Sequence, residues 1–278
     1  MAINTDKNSY TIIFAIIMVV VVGSILSFAS QGLKGNIDEN KRIEKQQNIL
    51  YALGINENDE SSVTFVSKSK VSELFLTNIT EQLVIQGTDV TENNEAYLID
   101  VKKQKALAKD PSYARKLPLF ISESKSGTYY VIPILGKGLW DAIWGYVAID
   151  KDMVIKGVYF DHKGETPGLG ANINKRFFMD DFTGEHLSDS SGKFTGVVVT
   201  KGNGDPRNNN KTDNKVDAIA GSTITGNGVT SMIKDELKLE IPALKINPAR
   251  GVDIPDLDLG IKSPSKNFCT SEPFFSAY

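Results

Sequence analysis

"YYVIPIL" (129–135), "WGYVAID" (144–150) and "MVIKGVYF" (153–160) follow one another with only Gly- and Asp-marked breaks between them. Each run is short and rich in β-branched and aromatic residues, so the three predict an antiparallel meander. "KFTGVVVTKG" (193–202) is a further strand candidate. The intervening "HKGETPGLGANI" (162–173) holds too much Gly and Pro for regular structure, and "GNGDPRNNNKTDN" (202–214) reads as a polar loop. Beyond Thr225 the apolar positions Val229, Ile233 and Leu237 keep helical spacing. On the N-terminal side, 37–53 reads as a helix with Ile43, Leu50 and Leu53 on one face and an Asp38/Arg42 pair, ended by Gly54, Asn56 and Asn58. Residues 61–128 are mixed, with a helix near 103–115 that must stop or bend at Pro111. The class is α+β: an antiparallel sheet with flanking helices. From about 251 the apolar residues have no period, and the tail is expected to lie extended or partly disordered.

The 278 residues, 41% hydrophobic and 23% charged, are those of an ordinary folded chain. A net charge of −3 and the lack of a Lys/Arg block argue against a nucleic-acid partner. A lone cysteine, Cys269, excludes an internal disulfide or a CxxC pair, and two histidines, His162 and His186, are too few for a His-based metal cluster. Redox chemistry here would need an organic cofactor.

"YTIIFAIIMVVVVGSILSFA" (10–29) is uncharged over 20 residues, enough to cross a bilayer as a helix. Signal-peptide apolar regions run to about 7–15 residues, so an uncleaved anchor is favoured although Ser27-Phe28-Ala29 could suit cleavage. Lys7 stands alone before the span, whereas Lys34, Lys41, Arg42 and Lys45 follow it; the count by itself would keep the bulk of the chain cytoplasmic. The segments expected are thus 1–9 before the membrane, 10–29 across it, 30–58 as a helical stalk, 59–250 as the main domain, and 251–278 as the tail.

Three stretches carry candidate chemistry. "DAIAGSTITGNGVTSMIKDEL" (217–237) places Ser222, Thr223 and Thr225 where a helix begins. Free N–H groups and the positive helix end would stabilise a phosphate there, although a simple Ser/Thr cap reads the same way. "GKGLWD" (136–141) and "GETPGLG" (164–170) offer Trp140 and Leu169 as flat apolar walls, with Glu165 and Thr166 alongside. Taken singly, Trp140 reads as a core aromatic and Glu165 as a solvated loop carboxylate.

Together these stretches resemble the FMN-binding domain family, whose usual pattern D-x-x-[ST]-G-A-T is met by Asp217, Gly221 and Thr223, with Ala220 and Ser222 at the two altered positions. The order of features also resembles the C-subunit family of Na+-translocating NADH:quinone oxidoreductases, covering 1 to about 240. The G-subunit of Rnf-type electron transport complexes shares the flavin domain, and "ENKRIEKQQNIL" (39–50) favours the C-subunit likeness. The resemblance implies FMN joined through its phosphate to Thr223 by a Mg2+-dependent flavin transferase that takes FMN from FAD, with Asp217 in that enzyme's recognition site. It implies Ser222 and Thr225 as donors to the phosphate, with Gly221 beside them. Leu139, Trp140, Glu165, Thr166, Leu169 and Gly170 would line the ring. It further implies no catalytic residue and no metal of the chain's own, a single-pass inner-membrane protein with its domain in the periplasm, and a place among the other subunits of a sodium-exporting, quinone-reducing complex. A membrane-anchored binding or scaffold domain is the non-enzyme alternative.

Overall fold

The computed structural model describes residues 8–59, 62–202 and 204–245. The expected N-terminus and the tail from 251, with Cys269, lie outside the described residues.

The apolar span and the stalk form one continuous helix, α1 (Asn8–Ala52), 45 residues long, or about 68 Å at 1.5 Å per residue. Among the described residues its apolar stretch packs against no other element: Val19 and Phe28 are 73% and 84% exposed. Burial begins near Gln46, and Ile49, Leu50, Tyr51 and Ala52 enter the core of the domain. The helix then stops at a Schellman end: Ile55 N–H donates to Leu50 O, Gly54 N–H donates to Tyr51 O, and Gly54 takes φ +80°.

The mixed 61–128 stretch contains α2 (Val71–Asn78), β1 (Glu81–Gln86), β2 (Asp89–Glu92), α3 (Val101–Leu107) and β3 (Lys116–Ser124). α3 starts where Asp100 accepts the Lys103 N–H and ends at Leu107, so it is shorter than the 103–115 expected and stops before reaching Pro111. β4 (Gly127–Lys137), β5 (Ala142–Asp150) and β6 (Ile155–His162) are the anticipated meander. The sheet order is β2-β1-β3-β4-β5-β6, antiparallel throughout. β3 pairs with β4 only from Phe120 to Ser124, opposite Val131 to Gly127. Pro133, further along β4, therefore interrupts no β3 ladder, which is how a proline is tolerated in an interior strand.

A short helix, α4 (Arg176–Met179), follows the Gly/Pro loop, and Phe178 and Phe182 close on Phe160 with ring centroids 5.1–6.2 Å apart. The strand expected within 193–202 is β7 (Val198–Thr200), which pairs in parallel with β8 (Lys215–Asp217) as a separate small sheet. α5 (Thr223–Lys245) buries Val229, Met232, Ile233, Leu237 and Ile241 on one face. It is anchored by Thr230, whose hydroxyl accepts the Val199 N–H, and by buried Glu236, which binds Lys105 at 2.7 Å and Arg115 at 2.6 Å.

Candidate functional site

Two turns and a helix start make a cavity of about 250 Å³. In "TPGL" the Leu169 N–H donates to Thr166 O, with Pro167 at the second position and Gly168 at the third with φ +78°, the pattern of a type II turn. "IAGS" repeats the device: Ser222 N–H donates to Ile219 O, and Gly221 has φ +75°. A Cβ on Gly221 would lie 2.9 Å from Leu169 Cδ2, so the two turns touch where glycine lacks a side chain. Thr223 then opens α5.

The cavity is lined by Leu139, Glu165, Thr166, Leu169, Gly170 and the run Gly221–Thr225. The three stretches picked out in the sequence, far apart along the chain, thus converge on one place. Ile224, 57% exposed, belongs to the lining and was missed by the sequence reading, though it lies inside the quoted motif. Trp140 is outside the lining. It is 67% exposed at the rim, and its indole N–H donates to Thr166 Oγ1 at 3.1 Å.

Glu165 is the knot of the site. Only 4% exposed, its Oε1 accepts the Trp140 N–H at 2.9 Å and its Oε2 accepts the Thr225 hydroxyl at 2.6 Å. One carboxylate thereby ties the β4–β5 loop, its own loop and the first turn of α5. A Cβ on Gly170 would fall 2.6 Å from Oε2, so this glycine is what admits the carboxylate. Burial pushes the Glu165 carboxyl up, but hydrogen bonds from Thr225 and from the N–H groups of Trp140, Leu139 and Asp141 outweigh it and hold it below the ordinary range. Thr225, 1% exposed, gives its hydroxyl proton to Glu165 and so does not stand free for a phosphate.

Ser222 differs. It is 6% exposed, lines the cavity, and its Oγ has no partner. An orphaned buried hydroxyl costs about 1–3 kcal/mol unless something completes it. Beside it, Thr223 is exposed at a helix N-terminus, where the first N–H groups lack helical acceptors. The donor set of a buried hydroxyl, free amides and a positive helix end fits a phosphate group.

Asp217, at the end of β8, lies apart from the cavity lining and accepts backbone N–H groups of the polar loop, from Gly204 at 3.1 Å and Asp205 at 2.9 Å. Nearby, Glu185 is fully buried against Asn208 Nδ2 at 2.7 Å, and burial pushes its carboxyl up to about 7. No residue pattern announced that pair.

Comparison with known proteins agrees with this geometry. The FMN-binding domain family matches residues 138–238. The chain is 29% identical to the C-subunit of the Na(+)-translocating NADH-quinone reductase of Vibrio anguillarum, over 82% of this chain and 90% of that protein. It is 28% identical to the corresponding protein of Pseudomonas aeruginosa, over 83% and 91%. The crystal structure of the C-subunit of that reductase from Parabacteroides distasonis superposes with a TM-score of 0.61 at 30% identity, covering 75% of this chain and 95% of that one. NqrC of Shewanella oneidensis gives 0.57 at 27% identity, covering 76% and 98%. With its long apolar N-terminal helix, its antiparallel sheet with flanking helices and its FMN-binding domain, the chain belongs to the C-subunit family of the Na(+)-translocating NADH-quinone reductase, an oxidoreductase complex.

Proposed function

We propose that the chain is a membrane-anchored flavoprotein subunit that carries FMN covalently on Thr223 and relays electrons within a sodium-exporting, NADH-oxidising and quinone-reducing complex. The observation that carries this is the exposed Thr223 hydroxyl beside the unpartnered Ser222 Oγ, on a cavity lined by all three motifs. Attachment is a phosphoryl transfer: Thr223 Oγ1 bonds to the FMN-side phosphorus of FAD, the pyrophosphate bond breaks, AMP leaves, and the hydroxyl proton passes to a base of the Mg2+-dependent transferase. When bound, FMN supplies reversible one- and two-electron chemistry. Ser222 Oγ and the free amides of the first turn of α5 hold the phosphate. Leu139, Leu169 and Ile224 shield the ring, with Trp140 at the rim, and Glu165 keeps their loops together.

Size supports a covalent tether. About 250 Å³ lies below the usual range of about 300–1,000 Å³ for pockets that enclose a ligand, so a flavin here stays partly in solvent. A phosphoester keeps such a weakly enclosed group at high effective concentration. The exposed apolar band of α1 is the membrane anchor, with no cover in the domain and the length to span a bilayer. The domain lies in the periplasm, where the transferase meets it.

Intact-mass and peptide mass spectrometry of the purified chain tests the reading: one FMN less water is expected on Thr223. Thr223→Ala should abolish the adduct while costing stability only about 1 kcal/mol, as a lost residue at a helix start. An adduct that persists in this variant would move the site elsewhere.

A further inference from the structure

A second cavity, of about 590 Å³, lies on the face of the sheet that α1 covers, away from Thr223. Its floor is Pro133, Leu135, Trp144 and Tyr146, cross-strand partners that share a face with Tyr159, whose ring meets Tyr51 of α1 at 5.8 Å. α1 forms one wall through Lys41, Lys45 and Asn48, and the stretch 98–102 leading into α3 forms the other. The walls are tied together: Arg42 donates to Tyr97 Oη at 3.0 Å, and Lys45 Nζ donates to Ile99 O at 3.4 Å. Unlike the cavity beside Thr223, this one falls within the range of about 300–1,000 Å³ that encloses a ligand.

Two polar groups are left over on it. Asn48, only 4% exposed, makes no side-chain hydrogen bond among the described residues, and its Oδ1 is orphaned. Half-buried Trp144 has an indole N–H with no acceptor among the described residues. An open acceptor and an open donor on an apolar floor match a peptide group, which brings both, whereas hydrocarbon brings neither. Along an upright helix, residues 41–48 lie about 18–29 Å beyond Ala29, where the uncharged span ends. Headgroups extend only about 5–8 Å past the hydrocarbon, so a bilayer lipid does not reach the cavity. Exposed Leu33 and Ile37 stand on the same side of α1 as Lys41, Glu44 and Asn48, at spacings of three or four residues. An apolar strip thereby joins the span to the mouth of the cavity. The rim has no net sign: Lys41, Lys45, Lys102 and Lys163 stand with Glu44 and Asp100, and Lys41 and Lys163 are already paired with Asp38 and Asp141. A strongly charged ligand gains nothing there, and selection falls to the apolar floor.

We infer that this cavity, with the Leu33 and Ile37 strip leading to it, is an assembly surface. It receives an apolar polypeptide segment of a neighbouring membrane subunit that rises from the bilayer beside α1. Side chains of that segment rest on Leu98, Trp144 and Tyr146, and its backbone completes Asn48 and the Trp144 N–H. This rests on the reading of the chain as a subunit anchored by α1 among other subunits.

The test places photoreactive benzoylphenylalanine at position 98 or 37 of the full chain, irradiates intact membranes, and identifies the crosslinked peptides by mass spectrometry. Crosslinks from both positions to one other subunit, at a segment just outside its own membrane span, are expected. Leu98→Asp and Ile37→Asp should each weaken retention of that subunit at least about tenfold in the solubilised complex, the scale of a lost apolar anchor. Thermal stability should stay at the wild-type value in both; Ile37 lies on the exposed stalk, so that variant leaves the domain core untouched. Leu76→Asp, exposed on α2 and off the cavity, should retain the subunit normally. Crosslinks only to lipid, to a second copy of the chain or to its own residues 246–278 overturn the proposal. Unchanged retention in both variants, or an equal loss in Leu76→Asp, overturns it too. A wild-type chain that purifies with no other subunit removes the complex on which the proposal rests. These crosslinks in a chain without a Thr223 adduct would uphold the surface and strike the flavin reading alone.

Discussion

Glu165 holds a charge in a nearly closed place because each oxygen meets a donor. Its folded-state pKa is depressed, so its stabilisation is present above the ordinary carboxylate range and is lost as pH falls through the folded value. Glu165→Ala strands the Thr225 hydroxyl and the Trp140 N–H and should cost about 2–4 kcal/mol in urea unfolding. Glu165→Gln, which keeps an acceptor and the shape, should cost less than half of that. Equal losses would mean that the charge, and not the hydrogen-bonded shape, holds the loops. Glu185 has the opposite sign. Burial raises its carboxyl to about 7, with the Asn208 amide and Lys211 opposing, so its contribution is intact below the unfolded carboxylate value and lost as pH rises toward and past 7. Asp181, pushed up to about 6 chiefly by burial, adds an earlier decline. Unfolding free energies measured from pH 5 to 8 should fall for the wild type relative to Glu185→Gln, and parallel curves would show that Glu185 is ionised throughout.

Among the elements, the proposed function would have the loops around the cavity divide the work between attachment and tuning. On that reading attachment would require the acceptor turn, whereas Leu169 and Trp140 would bear on how the ring is held and how wet its surroundings are. Leu169 lines the cavity and meets Gly221; Trp140 sits at the rim and reaches Thr166. Leu169→Ala should leave the adduct intact and shift the flavin absorption and midpoint potential. Trp140→Ala should do the same more weakly, since its ring is already two-thirds exposed. An unchanged spectrum and potential in both would reduce these loops to packing. The helix behind them was readable because its buried stripe recurs at helical spacing, as was the meander from its β-branched runs. β1 and β3 were not, since "EQLVIQ" is buried without alternation and Pro118 sits inside β3. β7 was legible within 193–202 from its valine run, whereas β8, three residues long and following the polar loop, is too short to show any period.

Across the whole molecule, the positions of the site residues were legible through motifs, whereas their bonds were not: Glu165 meets partners 25 and 60 residues away, a distance no local pattern reports. Span and stalk run on as one helix: Gly32 and Gly35 stand between 29 and 37, each costing about 1 kcal/mol relative to alanine, but with no proline among them α1 passes straight through. This continuity yields a final test. Burial on α1 starts at about Gln46, so removing residues 1–36 takes away the exposed helix from Asn8 to 36 and leaves the core contacts of Ile49, Leu50 and Tyr51 in place. The shortened chain should unfold within about 0.5 kcal/mol of the full one, as for changes remote from the core. Given a cleavable secretory signal, it should acquire the Thr223 adduct and stay soluble in the periplasm. Made without a signal, the same folded chain should remain unmodified in the cytoplasm, separated from the transferase, and should accept FMN once purified enzyme and FAD are added. An adduct formed on the unexported chain would turn the proposed orientation around and agree with the lysines that follow the span. Failure of the exported chain to accept FMN, with its fold intact, would instead mean that α1 takes part in presenting Thr223 to the enzyme.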